Sequence, residues 1–555
     1  MEADLFILAK DIRLRKEGFG GLIFNKKTGD TIDIDREAFK LLLLLKLNKF
    51  LSQKELLEVA NKFGLKKESI LKIIEKFIEL GVILKTKALV VELKDRELDF
   101  KIDQNWSSSQ HLNAPETVHW AITYDCSKDC LDCYAKEHKA EFENLETEDA
   151  LKVVDKLVDW GVFQLAIGGG EALKRDDLTK ITQYAHQKGL VVHITTGVDE
   201  IDADLLKELT KSITSLQLGL NHHKLLAEGK EEFARLNSLV AKIKSFDLET
   251  GVNLIISKSV IKNFKKIICY LSKLDITRVV LLRYKPPMDI KQWLKEKPSD
   301  YDLIEFEKML AKVSREYDLD LRLDCGLSFL QRRLKPSQAK AKGLRGCVAG
   351  ERILALAPDG SIFPCSQLIS SDFKAGNILN DDLDRVWKEE RIIKHYRFFK
   401  HKGFFKKSIC NSCDAVEFCG GCPVFSESGR KADPTCPQPI VLHLKQLDKN
   451  GRKVEFKRYF ENQYSVSVKE YMERYGVGQK CAVKELRSIP YLTKVDKSAT
   501  GKKQKDRYHS IEEDAIEAVQ NVIGYTSGGV PFARQDEISG WISEDDDRSY
   551  PLWKR

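Results

Sequence analysis

The sequence predicts an α/β protein of several domains, and three observations predict it. Between residues 117 and 325, short apolar strands alternate with helical stretches, the pattern of a parallel sheet with helices outside. Three cysteines, Cys126, Cys130 and Cys133, stand directly after the first of those strands. At 555 residues the chain exceeds what one core usually supports, so two to four domains are expected.

The strands are expected at 117–124, 163–167, 190–195, 214–220, 251–257 and 277–283, with a seventh near 319–323. Helices such as Thr147–Trp160 and Glu231–Phe246 follow them, and Thr147-Glu148-Asp149-Ala150 reads as an N-terminal cap with acids in the first turn. In such sheets ligand sites lie at the carboxyl ends of strands. Three features fall there: the cysteine loop, the run Gly168-Gly169-Gly170-Glu171 and the turn Thr195-Thr196-Gly197. Glycines admit a ligand close to the backbone, and Glu171 can accept hydrogen bonds from an ammonium group.

Cys126-x3-Cys130-x2-Cys133 supplies three thiolates, enough for three irons of a [4Fe–4S] cube with the fourth iron open, whereas an electron-transfer cluster uses four. With the strand Val118–Tyr124 before it, Tyr134 after it and the glycine run downstream, this pattern resembles the radical S-adenosylmethionine superfamily. The resemblance implies a partial (β/α)6 TIM-like barrel. It places the cluster on Cys126, Cys130 and Cys133, the methionine amino group on Gly169, Gly170 and Glu171, and the adenine near the Tyr134 backbone. Thr196 is expected to line the cofactor pocket. Ala172 stands where the family usually has proline, and Gln217-Leu218-Gly219 replaces the usual Ser-x-Asp of the fourth strand. His222 and His223 are expected as a surface loop pair, and Arg283 as a cation facing the cofactor carboxylate.

Downstream come Cys347-x12-Gly360-x4-Cys365, then Cys410-x2-Cys413-x5-Cys419-x2-Cys422, and Cys436. This resembles the SPASM extension, with two auxiliary [4Fe–4S] clusters; the family has three residues, not two, before the last of the four grouped cysteines. The resemblance implies Cys347, Cys365 and Cys422 on the nearer cluster and Cys410, Cys413, Cys419 and Cys436 on the outer one. Cys325 is the candidate fourth ligand of the nearer cluster, and Cys269 and Cys481 remain as spares, the former as core. Taken alone, the two CxxC pairs suit zinc equally; their company favours iron and sulfide.

Residues 1–95 alternate as strands at Ile12–Arg15 and Thr31–Ile34, with a turn at Lys26–Asp30. A helix with Ile70, Ile74, Phe77 and Ile78 on one face then stops at Gly81, before a strand at Val82–Leu84. This is a winged-helix-like pattern. With its Phe19–Ile23 hairpin it resembles the peptide chaperone of pyrroloquinoline quinone synthesis and related recognition elements, which implies leader-peptide binding by strand addition. DNA binding is the alternative, and the module's one dense basic group is small.

The remaining divisions are a linker at 96–116, a barrel at 117–325, a SPASM domain at 326–440 and an extension at 441–555. In the extension, Tyr464–Tyr475 and Ser510–Val522 read as helices, Lys494–Arg507 as a polar stretch and Glu544–Asp547 as an acidic end. No apolar run reaches the ~20 residues that span a bilayer, and no signal-peptide layout opens the chain. With 92 basic against 84 acidic side chains, the +8 charge is mild and gives nucleic-acid binding little support. Thirteen cysteines without a secretion signal point to metal ligation in a reducing cytoplasm.

The expected function is a radical S-adenosylmethionine enzyme with three [4Fe–4S] clusters, modifying a ribosomally made precursor peptide by hydrogen abstraction. A flavodoxin or ferredoxin is its expected reductant, and no membrane partner is expected. The alternatives are a sulfatase-type protein maturase and a non-catalytic iron–sulfur DNA-binding redox sensor.

Overall fold

Strand residues of alternating character build the central sheet of the computed structural model. It describes residues 2–62, 67–89, 106–107, 109, 111–131, 133, 135, 141–285, 290–341, 344–400, 405, 408–425, 433, 435–438, 446–459, 465–487, 494–496 and 523–525. The amino-terminal module has strands β1 (Glu2–Leu8), β2 (Ile12–Glu17), β3 (Gly20–Asn25) and β4 (Thr31–Asp35), helix α1 (Arg36–Asn48), strand β5 (Leu51–Ser52), helices α2 (Gln53–Lys62) and α3 (Lys67–Glu79), and strand β6 (Ile83–Leu89). These form two three-stranded sheets, β5-β1-β6 and the antiparallel meander β2-β3-β4. The Asp35 carboxylate caps α1 by accepting the Ala38 N–H at 2.8 Å.

The barrel follows. Its strands are β7 (Thr117–Thr123), β8 (Gln164–Gly169), β9 (Val191–Thr196), β10 (Ser215–Gly219), β11 (Glu249–Ile256), β12 (Arg278–Arg283) and β13 (Leu321–Asp324). Helices α4 (Thr147–Trp160), α5 (Leu178–Gln187), α6 (Ala203–Leu209), α7 (His222–Glu228), α8 (Lys230–Lys244), α9 (Lys258–Leu271), α10 (Ile290–Glu296) and α11 (Asp300–Glu316) alternate with them. All seven strands run parallel in sequence order. Helix α12 (Pro336–Ala341) leads to β14 (Ile353–Leu356), which returns to pair parallel with the other side of β7. Strands β15 (Ser361–Phe363) and β16 (Gly376–Asn377) extend that edge antiparallel, and helices α13 (Leu383–Glu389) and α14 (Arg391–Phe398) follow. The α/β class is as expected, and every expected barrel strand forms.

Alternation decides which residue faces where. Val118, Trp120 and Ile122 of β7, Leu165 and Ile167 of β8, and Leu216 and Leu218 of β10 share one buried core with the surrounding helices. By the two-residue period, His119, Ala166, Gln217 and Asn253 therefore face the barrel interior. Trp120 is 1% exposed; replacing so large a core side chain by Ala costs about 3–5 kcal/mol.

The meander closes the barrel floor. Arg15 donates to the carbonyls of Ala114, Pro115 and Gly161 at 2.8, 2.9 and 2.8 Å, and Phe24 stacks on Phe163 with centroids 4.8 Å apart. Gln164, at the start of β8, donates to Gly29 O at 3.2 Å. The expected linker is partly structural: Leu112 joins the barrel core, and Asn113 N–H donates to Glu17 at 2.6 Å. Residues 96–105, 108 and 110 lie outside the described residues.

Two local expectations change. Glu146, not Thr147, stands at the cap of α4, and the Thr147 hydroxyl donates to Asp177 at 2.6 Å instead. His222 begins α7 and is 1% exposed, its ring 4.1 Å from that of His223 and its Nε2 3.3 Å from Ser257 Oγ; the pair is not a surface loop.

The extension forms α15 (Lys449–Tyr459), β17 (Ser465–Ser467), α16 (Val468–Tyr475), α17 (Gln479–Arg487) and β18 (Lys494–Asp496) around Phe456, Tyr471, Tyr475 and Leu486. Thus the expected 464–475 helix starts at Val468, and the polar stretch starts as a strand. A last strand, β19 (Ile523–Tyr525), pairs parallel with β13. Residues 497–522 and 526–555, including the second expected helix and the acidic end, lie outside the described residues.

Candidate active site and auxiliary cysteine groups

Cys126, Cys130 and Cys133 occupy one loop after β7, all half-buried. Local backbone folds that loop: Cys133 N–H donates to Cys130 O at 3.4 Å, and Lys128 N–H to Cys126 Sγ at 3.4 Å. The loop is tied across the barrel mouth by Lys128, whose ammonium lies 2.9 Å from Asp199 after β9; Asp199 also pairs with Arg235 of α8 at 3.2 Å.

The glycine run lies directly against it. Gly170 N–H donates to Thr123 O at 2.7 Å and Glu171 N–H to Asp125 O at 2.8 Å. Gly169 has φ +117°, and a Cβ on either Gly169 or Gly170 would strike the Thr123–Asp125 backbone, so only glycine lets the two loops meet. Glu171 is 5% exposed. It accepts from Thr196 Oγ1 at 2.7 Å, Gly197 N at 2.9 Å and Leu173 N at 3.2 Å. Three of a carboxylate's roughly four acceptor positions are thus used within the chain. Thr196 and Glu171 meet as expected; Tyr134 lies outside the described residues.

Below the mouth, the lumen contains polar groups that the strand reading passed over. Among the described residues, His119 Nε2 on β7, Gln217 Nε2 on β10 and Asn253 Oδ1 on β11 are buried without a hydrogen-bond partner. Burial, reinforced by Lys285, brings His119 down to about 4, so its imidazole is neutral near neutral pH. Lys285 lies 3.6 Å from Asp324, the last residue of β13. A polar residue at an inward position of an apolar strand was the available signal for His119 and Asn253.

The second cysteine group links β13 to β14, which lie towards opposite ends of the strand order. Cys325 follows β13 directly, Cys347 precedes β14 and Cys365 follows β15. Cys325 shares a hydrogen bond with Cys347, and that bond and burial raise its pKa. Electrostatic coupling links Cys365 to Cys422 and Cys325. It also links Cys419 to Cys410 and Cys413, and Cys436 to Cys419. The thiols therefore gather as Cys325, Cys347, Cys365 and Cys422, and as Cys410, Cys413, Cys419 and Cys436. Burial holds Cys365, Cys419 and Cys422 up at about 12, so each needs a cation's charge to become a thiolate ligand. Among the described residues, no three His, Cys, Asp or Glu side chains are close enough to hold one metal ion. A cubane asks for less closeness, since each thiolate takes its own iron. An all-sulfur donor set fits iron–sulfur chemistry.

Arg283 does not face the cofactor pocket. It forms a buried ion pair with Asp433, between Cys422 and Cys436. Cys269 is half-buried on α9, and Cys481 donates to Glu485 at 3.1 Å on α17. From the amino-terminal module, Asp33 of β4 pairs with Arg345 and Arg352, each at 2.6 Å, two arginines that bracket Cys347; Arg352 also pairs with Glu116.

Residues 120–256 match the model of the radical SAM superfamily, and residues 347–414 match SPASM, an iron–sulfur cluster-binding domain. It is a radical S-adenosylmethionine enzyme with a SPASM domain. S-adenosylmethionine and iron–sulfur clusters are therefore its cofactors. The chain is 25% identical over 322 residues to mycofactocin maturase MftC of Mycobacterium ulcerans, covering 56% of this chain and 84% of the relative. It is 22% identical over 330 residues to AdoMet-dependent heme synthase of Methanosarcina barkeri, covering 56% and 91%. Streptococcus suis SuiB shares the fold at TM-score 0.56 and 18% identity, over 78% of this chain and 99% of SuiB. No helix among the described residues of this radical S-adenosylmethionine enzyme is long and apolar enough to cross a membrane.

Proposed function

We propose that this enzyme modifies a ribosomally made precursor peptide, using three [4Fe–4S] clusters and an external flavodoxin- or ferredoxin-type reductant in the cytoplasm. One observation carries the reading: the three-cysteine loop follows β7 and Cys325 follows β13, so both cysteine groups begin at the carboxyl ends of parallel strands of one sheet. A cluster held by Cys325, Cys347, Cys365 and Cys422 would supply an electron acceptor at the same end of the sheet as the three-cysteine loop. The architecture supports a peptide substrate, for SuiB, also crystallised with its precursor peptide SuiA, shares this fold. MftC is likewise a maturase by name.

In this reading Cys126, Cys130 and Cys133 hold the open cluster, and Gly169, Gly170, Glu171, Thr196 and the Tyr134 backbone bind S-adenosylmethionine. Together the two cofactors supply an adenosyl radical that removes a substrate hydrogen. The chain does the rest. Gly169 and Gly170 bring the binding loop against the cysteine loop, and Glu171 offers its remaining acceptor position to an ammonium. The buried His119, Gln217 and Asn253 orient a polar substrate, and the floor formed by β2–β4 keeps water from the lumen's far end. The domains divide at 1–95, 96–116, 117–325, 326–440 and 441–555, with the first as leader-binding element.

Anaerobic incubation with S-adenosylmethionine, dithionite and the peptide encoded beside the gene is expected to yield 5′-deoxyadenosine and a mass change in the peptide. A peptide unchanged while 5′-deoxyadenosine accumulates would reject the substrate class. Removing residues 1–95 would uncover Phe163 and strip Asp33 from Arg352, so the module is tested in place. Hydrogen exchange on the full chain should show peptide-dependent protection within residues 2–89, and none there removes the leader role.

A further inference from the structure

Asp433 touches both auxiliary cysteine groups. Its Oδ2 accepts the Cys422 N–H at 3.2 Å, and its carbonyl accepts the Cys436 N–H at 3.0 Å. Its Oδ1 accepts from Thr435 N at 3.0 Å and from Thr435 Oγ1 at 2.8 Å. Gly421, with φ +71°, lets it sit there, since a Cβ at 421 would lie 2.9 Å from the Asp433 Cβ.

Arg283, at the end of β12, completes the junction. Its guanidinium grips Asp433 through both oxygens, the Nη2–Oδ1 bond being 2.8 Å, and reaches Thr435 Oγ1 at 2.7 Å. Its Nη1 donates to Gly326 O at 3.2 Å and its backbone N–H to Asp324 at 3.2 Å, on either side of Cys325. The Phe425 ring covers it, with the guanidinium carbon 3.5 Å from the centroid. Arg283 is 6% and Asp433 2% exposed. Segments bearing Cys325, Cys422 and Cys436 therefore converge on one desolvated ion pair.

A bound cluster's reduction potential responds to nearby net charge, hydrogen bonds and solvent exposure. The intact pair contributes a cation and an anion that nearly cancel. The neighbouring Lys285–Asp324 pair, 3.6 Å apart, is a second such couple, and side-chain changes at Arg283 keep the backbone N–H that donates to Asp324. Breaking the Arg283–Asp433 pair from one side leaves one sign of charge beside the cysteines, with little water to screen it.

We propose that the Arg283–Asp433 pair is a positioning element that sets the reduction potentials of the auxiliary clusters. It rests on the assignment of Cys325, Cys347, Cys365, Cys422, Cys410, Cys413, Cys419 and Cys436 to two cubanes. The role separates from ordinary structural support by sign. Arg283→Met leaves an anion and lowers the auxiliary midpoint potential. Asp433→Asn leaves a cation and raises it. The double variant returns towards wild type, and Arg283→Lys, which keeps the charge, stays close to it.

The test is an EPR-monitored redox titration of the reconstituted full chain, with the cluster on Cys126, Cys130 and Cys133 as an internal reference expected not to move. Iron and sulfide are counted on the same samples. Wild-type iron far short of about twelve per chain counts against the two auxiliary cubanes themselves. At full iron, shifts of the same sign in the two single variants, or no shift in either, overturn the role of the ion pair. If Arg283→Met alone fails to load iron, Asp433→Asn against the double variant carries the comparison, and equal potentials in those two overturn the proposal.

Discussion

The two cysteine groups are built in opposite ways. The first three thiols sit within eight residues on one half-buried loop, folded by its own backbone and tied down by a partly exposed pair, Lys128–Asp199. The other eight come from segments spread over residues 325–436, with Cys347, Cys419 and Cys422 buried, held by the ion pairs Arg283–Asp433 and Asp33–Arg352. The difference suits the roles proposed for the two groups. An iron that binds a small molecule needs a local, accessible frame that works whatever the distant chain does. A closed relay needs exclusion of water and fixed neighbours, which only several elements packed together provide.

The largest expected effect lies on the local loop. Cys126→Ala should abolish 5′-deoxyadenosine formation and remove about four irons per chain; cleavage at the wild-type rate would falsify the cluster assignment. Cys325→Ala should also cost about four irons but leave cofactor cleavage in place while peptide modification stops. Unchanged iron would make Cys325 an ordinary buried thiol.

Asp33→Asn tests how far the second group depends on remote packing. Burial alone would raise the Asp33 pKa, but Arg345 and Arg352 outweigh it and hold the carboxyl at about 2, against an ordinary value of 3.8. That depression corresponds to about 2 kcal/mol of stability. Since the folded value is the lower one, this contribution is complete above about pH 4 and disappears as pH falls through about 2. Glu116, which pairs with Arg352 but also faces the Asp33 charge, is pushed upward chiefly by burial instead. The variant should denature at lower temperature and release auxiliary iron first. Equal loss from both groups would dissolve the contrast between them.

Asp199→Asn should have the smallest effect, under about 1 kcal/mol, because Asp199 is 41% exposed and screened by solvent. Slower reconstitution of the first cluster, with unchanged auxiliary iron, is the expected reading. A large loss would mean the loop depends on the barrel rim more than its local bonding suggests.

Much of this was legible before the fold. The strand periods placed β7–β13, and the spacing of Cys126, Cys130 and Cys133 with the glycine run pointed to the chemistry at the barrel mouth. Cys325 was reached only by counting ligands, because nothing around it forms a motif. Arg283 was assigned to the wrong neighbour: a cation at a strand end can turn to either of two acids, and the placement of Asp433 and Thr435 makes that choice. His222 was misplaced for a similar reason, since its burial depends on Ser257, 35 positions away.

Spacing along the chain was enough to bring Cys126, Cys130 and Cys133 onto one loop, because three residues within eight need no help from elsewhere to meet. Contacts across 150 and 319 positions settled the partners of Arg283 and Asp33, and contacts between separate segments settled that of Cys325. Burial removes the competing water there, and no local pattern records which opposite charge or sulfur arrives.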